Sequence, residues 1–228
     1  MTKNSNPSSK NLGQYSYMSD LLRDRPTNLG LVSNATWHQD PKGLLFSLSR
    51  YKFVSKMLAG STNVVEIGCG DGWYSKIVAS TVEKICLTDF DEIFVENAKK
   101  NTANWNLPHS HIKHDWVNSP LEKNFDAAYC LDVLEHIDPA HQEHFFKNII
   151  ASCKDKSVVI FGIPSSESQE TIPADRRDPG HINCQSQGQL IDNLKKFFSV
   201  VLPFSMNDEV LHTGYAPMSQ YLFAVCVI

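Results

Sequence analysis

The sequence has 228 residues, which suffices for one well-buried domain and leaves little room for a second. Its composition, 42% hydrophobic and 20% charged, is ordinary for a soluble globular protein. A net charge of −4 and an isoelectric point near 6.1 argue against general nucleic-acid binding, because such binders usually carry a basic stripe. No apolar run reaches the roughly 18 residues that a membrane-spanning helix needs.

The first 60 residues precede any predicted strand. Residues 1–14 are rich in Ser, Asn and Lys and lack the apolar stretch of a signal peptide, so we predict a disordered leader. Residues 15–60 contain two stretches of helical periodicity, 15–25 and 43–58, separated by turn residues over 27–41. We expect a helical cap over the carboxyl ends of the strands, where open α/β sheets bind ligands.

Short apolar runs then alternate with amphipathic ones, which is typical of strands joined by helices. The pattern predicts five strands and three intervening helices: strands over 63–67, 84–88, 112–114, 125–131 and 156–163, and helices over 72–81, 91–105 and 139–153. Alternation at this spacing indicates right-handed crossovers and a parallel sheet.

The ending breaks this rhythm. A helix over 187–197 is followed by two strand-like runs, 198–204 and 221–228, with no helix between them, so these runs should pair as antiparallel neighbours. The predicted fold class is α/β, a doubly wound, mostly parallel seven-stranded sheet with an antiparallel C-terminal strand and an N-terminal helical cap. We assign residues 61–228 to one Rossmann-like domain.

The sequence contains six cysteines and no C-x-x-C pair; they are Cys69, Cys86, Cys130, Cys153, Cys184 and Cys226. Four of them lie in or beside apolar runs, which suits reduced thiols packed as small hydrophobes better than a disulfide framework. This pattern predicts a cytoplasmic protein.

A glycine-rich turn follows the first predicted strand, in the run VVEIGCGDG at 64–72. Glycines at alternate positions let the backbone turn sharply and approach a ligand closely. Glu66 would repel a pyrophosphate and suits a ligand with ammonium and sulfonium groups, while a nicotinamide site would need a third Gly where Trp73 stands. This run resembles the first motif of class I S-adenosylmethionine-dependent methyltransferases.

The resemblance implies S-adenosylmethionine as the cofactor. It places Asp89 on the ribose hydroxyls, Phe90 beside the adenine and Asp115 near the adenine amino group. Arg50 is the natural cation for the cofactor's carboxylate, although its neighbourhood could equally pack the cap. The predicted cofactor-binding residues are Arg50, Glu66, Gly68, Cys69, Gly70, Asp89, Phe90, Asp115, Trp116 and Leu131.

The run FDAAYCLDVLEH at 125–136 resembles the fourth-strand motif of the same superfamily, in the subset ending in Leu-Glu-His. Asp132 leaves the strand towards the methyl group and is a predicted substrate contact. His136 follows one helical turn later and could act as a general base on a hydroxyl, since imidazole is available in its neutral form near pH 7. Alternatively, Glu135 and His136 cap and orient a loop.

Further acceptor contacts are predicted in the last third of the chain. His181 is the second candidate base, with a purely structural histidine as the alternative, and Arg176 could hold a carboxylate or phosphate of the acceptor. Glu209 and His212, between the last two strands, are also substrate candidates. They could bind a metal, but hairpin loops are polar by default. No metal is expected.

The predicted function is methyl transfer from S-adenosylmethionine to an oxygen, less favourably a nitrogen, of a small polar acceptor. A sugar or related metabolite is the favoured acceptor. Residues 180–228 resemble the ending of bacterial methyltransferases often met among surface-polysaccharide genes, an association that does not identify a substrate. Neither nucleic acid nor membrane is an expected partner, and a homodimer is possible. The alternatives are a non-catalytic cofactor-binding subunit and, less favoured, an NAD-dependent oxidoreductase.

Overall fold

The computed structural model describes residues 27–122 and 124–228. The predicted leader over 1–14 and the predicted cap helix over 15–25 lie outside the described residues. No helix in the described ranges is long and apolar enough to cross a membrane. All six cysteines are free, and five of them are buried.

The helices are α1 (Leu31–Gln39), α2 (Gly43–Met57), α3 (Ser75–Ala79), α4 (Glu92–Thr102), α5 (Gln142–Ser152), α6 (Ser166–Thr171) and α7 (Gln187–Leu194). The strands are β1 (Val64–Ile67), β2 (Ile85–Asp89), β3 (His109–Lys113), β4 (Phe125–Leu131), β5 (Cys153–Pro164), β6 (Val200–Asn207), β7 (Val210–His212) and β8 (Tyr221–Val227). Short 3-10 turns cover Leu134–His136, Ala174–Arg176 and Ala216–Met218.

The described strands form an eight-stranded sheet in the order β3-β2-β1-β4-β5-β8-β6-β7. Strands β1 to β5 are parallel, and β8 runs antiparallel between β5 and β6. The order reverses at β1, whose neighbours are β2 and β4, and ligands of open α/β sheets bind at such a switch point. The predicted α/β fold class, mostly parallel with an antiparallel ending, is confirmed.

The sheet has one strand more than the seven predicted. β6 continues to Asn207 and turns through Asp208, whose φ of +48° is left-handed, into the short strand β7. The predicted polar loop is therefore a tight hairpin at the outer edge of the sheet. The sequence pattern did not reveal this strand, because one face of an edge hairpin meets solvent and carries polar side chains.

Residues 27–41, predicted as a connection, contain the helix α1. Its N-cap is Gly30, which has no side chain to cap the helix, so the local sequence carries no start signal. The missing acceptor comes from Asp71 in the glycine-rich turn, whose Oδ2 accepts a hydrogen bond from the Ser33 amide at 2.7 Å. A carboxylate at a helix N-terminus also interacts favourably with the helix dipole.

Apolar side chains cover both faces of the sheet, as a doubly wound fold requires. On one face an aromatic cluster packs beneath α5 and α7, centred on the fully buried Phe146. The ring centroid of Phe146 lies 5.3 Å from that of Phe161 and 5.5 Å from that of Phe197. On the other face α2, α3 and α4 pack on β1 and β2 through residues such as Val54 and Val78.

Phe146→Ala is expected to lower the free energy of unfolding by about 3–5 kcal/mol, because it leaves a cavity among aromatic rings that cannot collapse. Urea denaturation followed by circular dichroism measures the change. The control Ile93→Ala removes an apolar side chain that is 64% exposed and should cost less than about 1 kcal/mol. Equal losses in both variants would contradict this assignment of the core.

Candidate active site

A cavity of about 780 Å³ opens at the carboxyl ends of β1, β2, β3 and β4, beneath the cap helices α1 and α2. Its wall combines the glycine-rich turn, the ends of the strands and a polar end, which is formed by Asp132, His136 and Asp178. The residues used below are Tyr51, Gly68, Cys69, Gly70, Asp71, Asp89, Phe90, Asp115, Trp116, Leu131, Asp132, Val133, His136 and Asp178. Among the described residues, this wall contains five aspartates and no lysine or arginine.

The glycine-rich turn has a backbone that only glycine adopts without strain. Gly68 has a φ of +75°, and its amide and that of Cys69 both donate to the Thr88 carbonyl at 2.9 Å. A Cβ on Gly68 would lie 2.1 Å from Cγ2 of Val133, which also lines the cavity. The turn is thus pressed against the segment that follows β4, and both form one wall.

Gly68→Ala is expected to cost about 2–5 kcal/mol of unfolding free energy, from left-handed strain and overpacking against Val133. Gly60→Ala is the matched control, since Gly60 has a φ of +83° but open space around its Cβ position. The double variant Gly68→Ala/Val133→Ala should recover part of the loss in urea titrations. An equal loss for Gly60→Ala and Gly68→Ala would show that strain alone, and no contact with Val133, is involved.

Asp89, at the end of β2, holds the turn and faces the cavity. Its Oδ2 accepts a hydrogen bond from the Gly70 amide and its Oδ1 one from the Asp91 amide, both at 3.0 Å. Burial raises the pKa of Asp89, and these backbone donors partly offset the rise. A carboxylate has about four lone-pair sites, so two remain for hydroxyl donors of a ligand.

The predicted adenine side of the cavity combines an exposed ring, a buried indole and an exposed carboxylate. Phe90 is 70% exposed and lines the wall. The Trp116 indole is buried and donates to Thr88 Oγ1 at 2.9 Å. Asp115 accepts hydrogen bonds from the Val117 amide at 2.9 Å and from an Asn118 side chain, which fixes the loop after β3. Phe90, Asp115 and Trp116 thus line the same cavity, and their contacts with adenine stay a prediction.

Glu66 does not line the cavity, contrary to the predicted cofactor contact. It is buried beneath the turn, where its Oε1 accepts a hydrogen bond from the Tyr51 hydroxyl at 2.7 Å, and Tyr51 itself lines the wall. Burial raises the pKa of Glu66 to about 7, and nearby hydroxyl groups limit the rise. The alternation of side chains along β1 turns Glu66 into the core, so it acts on a ligand only through Tyr51.

Glu66→Gln is expected to change the pH dependence of stability in the ligand-free protein. The folded pKa of about 7 exceeds the ordinary 4.5, so wild type loses stability as pH rises between these two values. That loss is about 3 kcal/mol from this group alone, and Gln abolishes it. In urea titrations from about pH 5 to about pH 8, the free energy of unfolding of the variant should rise relative to that of wild type as the pH increases. The exposed Glu83→Gln should show no such trend; a flat difference for Glu66→Gln would contradict this.

Arg50, predicted to hold the cofactor's carboxylate, is committed to another carboxylate instead. Its Nη1 donates to both oxygens of Asp132, at 3.0 and 2.9 Å, and its guanidinium lies 3.8 Å from the centre of the Tyr221 ring. Burial alone would lower the pKa of Arg50, but Asp132 raises it above the ordinary value. The pair fixes Asp132, whose φ is +55°, at the cavity wall beside Leu131.

One candidate base, His136, lies at the polar end of the cavity, and the other, His181, packs against it. His136 lines the wall, and the centre of its ring lies 5.0 Å from that of His181. The His136 Nδ1 lies 2.9 Å from the Gly180 carbonyl, which can only accept, so neutral His136 carries its proton on Nδ1. Burial, with a smaller contribution from His136, lowers the pKa of His181. Asp178, which sequence reasoning missed, completes this end.

The remaining predicted substrate contacts lie away from the cavity. Arg176 is exposed in a 3-10 turn. Glu209 is exposed in the β6–β7 turn, and the His212 ring bonds Asn207 Oδ1 at 2.7 Å within that hairpin. None of the three lines the cavity wall. The hairpin carries Glu209 and His212 to the sheet edge, four strands from β4.

The comparisons with known proteins agree with this architecture. Residues 64–156 match the family model of a methyltransferase domain. A curated relative, the ubiquinone biosynthesis O-methyltransferase of Rickettsia bellii, is 19% identical over 152 residues. That match covers 63% of this chain and 62% of the relative, so it spans about three-fifths of the relative's length.

Two solved structures show the same fold. The N-methyltransferase NodS from Bradyrhizobium japonicum, in complex with S-adenosylhomocysteine, is 18% identical with a TM-score of 0.62, covering 93% of this chain and 97% of that one. The small RNA methyltransferase HEN1 is 15% identical with a TM-score of 0.68, covering 80% of this chain and 25% of that one. Identities this low establish the fold alone.

Proposed function

We propose that the chain is an S-adenosylmethionine-dependent methyltransferase that methylates an oxygen of a small, uncharged, polyhydroxylated acceptor. The observation that carries the proposal is the cavity wall, in which the cofactor turn and a histidine-containing polar end share one space of about 780 Å³. A sugar without phosphate groups fits this description.

The wall suits the cofactor in shape and in charge. The backbone between Gly68 and Gly70 leaves room for a ligand, and Asp89 keeps two lone-pair sites for ribose hydroxyls. Five aspartates without a lysine or arginine among the described wall residues favour a ligand with ammonium and sulfonium charges and disfavour a pyrophosphate. The negative charge that favours a cationic cofactor therefore comes from these aspartates, whereas the sequence had indicated Glu66 as its source.

The same charges narrow the acceptor class. Asp178 lies beside His136 at the polar end and would repel an anionic acceptor, whereas the charge of Asp132 is balanced by Arg50. This favours a neutral acceptor over a sugar nucleotide, whose diphosphate would meet no cation on the described wall. A nucleic-acid strand would meet the same repulsion, and the chain's net charge of −4 adds to it.

Oxygen is favoured over nitrogen because the polar end is built to remove a proton. When bound, the cofactor supplies an electrophilic methyl carbon, whose bond to sulfur breaks as the acceptor oxygen's electron pair bonds to that carbon. The chain holds the acceptor in line, and we assign removal of the hydroxyl proton to the cluster of His136 and His181. The curated relative named as an O-methyltransferase supports the choice of oxygen.

A mass-spectrometric screen tests the proposal. The full chain, supplied with S-adenosylmethionine, is incubated with neutral sugars, their nucleotide-linked forms, catechols, primary amines and a short RNA. We expect a gain of one methylene group, on oxygen, among the neutral polyhydroxylated compounds. Methylation confined to amines or to RNA would overturn it. The predicted homodimer and cytoplasmic location stay predictions.

A further inference from the structure

A buried carboxylate that has no hydrogen-bond partner in the described part of the chain lies beside the two histidines. Glu135 is fully buried, and neither of its carboxylate oxygens has a hydrogen-bond partner among the described residues. An ionised carboxylate in such a place is expensive unless a cation or hydrogen-bond donors compensate it. The Arg50 guanidinium, which lies in this region, donates its hydrogen bonds to both carboxylate oxygens of Asp132.

The neighbouring histidines present further donor atoms to the same point. One ligand atom each from Glu135, His136 and His181 lie within 4.8 Å of one another. Both rings are held through Nδ1, by the Gly180 carbonyl at 2.9 Å and by Gln169 Oε1 at 3.0 Å. Metal-binding histidines almost always donate their second ring N–H to such an oxygen, which leaves the other nitrogen free to ligate.

We propose that Glu135, His136 and His181 form a binding site for a divalent transition-metal ion at the polar end of the cavity. Two imidazoles and one carboxylate favour ions such as Mn²⁺ and Zn²⁺ over Mg²⁺, which prefers oxygen ligands. Asp178, on the adjoining wall, adds negative charge that attracts the ion, whereas the charge of Asp132 is balanced by Arg50. This reverses the expectation of a metal-free site.

The ion would give the histidines a different task. As ligands, His136 and His181 would hold the ion, which would supply Lewis-acid chemistry that lowers the pKa of the acceptor hydroxyl so that its proton passes to water. This would replace the role of base assigned to the two histidines above. Because His136 lines the cavity, an ion on it would meet the acceptor directly. This role rests on the proposed function, whereas binding of the ion does not.

Electron paramagnetic resonance of Mn²⁺ tests the site without any turnover. The full chain with S-adenosylhomocysteine is titrated with Mn²⁺, and we expect one bound ion per chain. Zn²⁺ should displace it, and Mg²⁺ at equal concentration should not. Glu135→Gln and His181→Ala should each weaken Mn²⁺ binding by at least about 100-fold, more than the loss of an outer-shell partner costs.

His144→Ala is the matched control, because it removes an exposed histidine of α5 and should bind Mn²⁺ like wild type. His181→Ala covers the case in which Glu135→Gln fails to fold, and retained S-adenosylhomocysteine binding shows that a variant is intact. No stoichiometric binding of Mn²⁺ or Zn²⁺, or equal binding by His181→Ala and wild type, would overturn the proposal. Mn²⁺ binding without any methylated acceptor would refute only the proposed function, and methylation without metal binding only the metal site.

Discussion

His136→Ala is expected to lower turnover of the best acceptor by about 100-fold or more, since the side chain that activates the hydroxyl is lost. Its Nδ1 is held by the Gly180 carbonyl, so the other ring nitrogen is the one that can serve the acceptor, as a base or as a metal ligand. Initial rates measured by mass spectrometry at saturating cofactor give the effect.

The effect should appear in turnover and leave the cofactor untouched. Calorimetric affinity for S-adenosylhomocysteine should stay within about threefold of wild type, which is under 1 kcal/mol. His144→Ala, on the surface of α5, should keep wild-type turnover. Unchanged turnover in both His136→Ala and His181→Ala would remove histidine from the mechanism.

Asp89→Ala is expected to weaken binding of S-adenosylhomocysteine by about 100-fold, because hydrogen bonds to a charged group contribute about 1.5–3 kcal/mol each. The variant also deprives the Gly70 and Asp91 amides of their acceptor, which loosens the turn itself. Asp89→Asn keeps one acceptor oxygen without the charge and should lie between Asp89→Ala and wild type.

Asp126→Asn is the control for Asp89→Ala, because it removes a carboxylate that lies outside the candidate site. Asp126 lies at the opposite end of β4, where it accepts hydrogen bonds from the Thr62 and Asn63 amides at 2.9 Å. Its replacement should lower stability and leave cofactor affinity unchanged. Equal affinities for Asp89→Ala and wild type would mean that the ribose does not bind at the end of β2.

The strands and the cofactor turn were predictable because their signals are local. The strands β1 and β4 are mostly apolar, as buried parallel strands are, with one acidic residue each. The glycines at 68 and 70 indicate a left-handed turn directly after β1. The positions of Asp89 and Asp115 followed from the ends of the predicted strands together with the family resemblance, since the carboxyl ends of parallel strands lie at one edge of the sheet.

The rest of the site depends on contacts that the linear sequence does not display. Arg50 meets Asp132 across 82 residues, and Asp71 caps α1 across 38. Neither partner carries a local mark of its role: Arg50 sits in an ordinary helix, and Gly30 has no capping side chain. The pairing of Arg50 with Asp132 shows why a lone cation near a cofactor motif is weak evidence for a carboxylate site.

The sequence predicted the two histidines at and beside the polar end but not the buried carboxylate next to them. His136 and His181 stand out as histidines beside family motifs, but the burial of Glu135 between them is a property of the folded chain. Glu135 looked like a capping residue because exposed glutamate after a strand is common. Only its two unpartnered oxygens among the described residues turn the pair of histidines into a candidate ion site.

The central claim is that the cavity behind the glycine-rich turn binds a nucleoside that carries an amino-acid group, as S-adenosylmethionine and S-adenosylhomocysteine do, and excludes a pyrophosphate. Calorimetric titration of the full chain with S-adenosylhomocysteine, and separately with NAD, tests it most directly. We predict one site per chain for S-adenosylhomocysteine, weakened by Asp89→Ala, and no measurable heat with NAD. Saturable binding of NAD without binding of S-adenosylhomocysteine would contradict it.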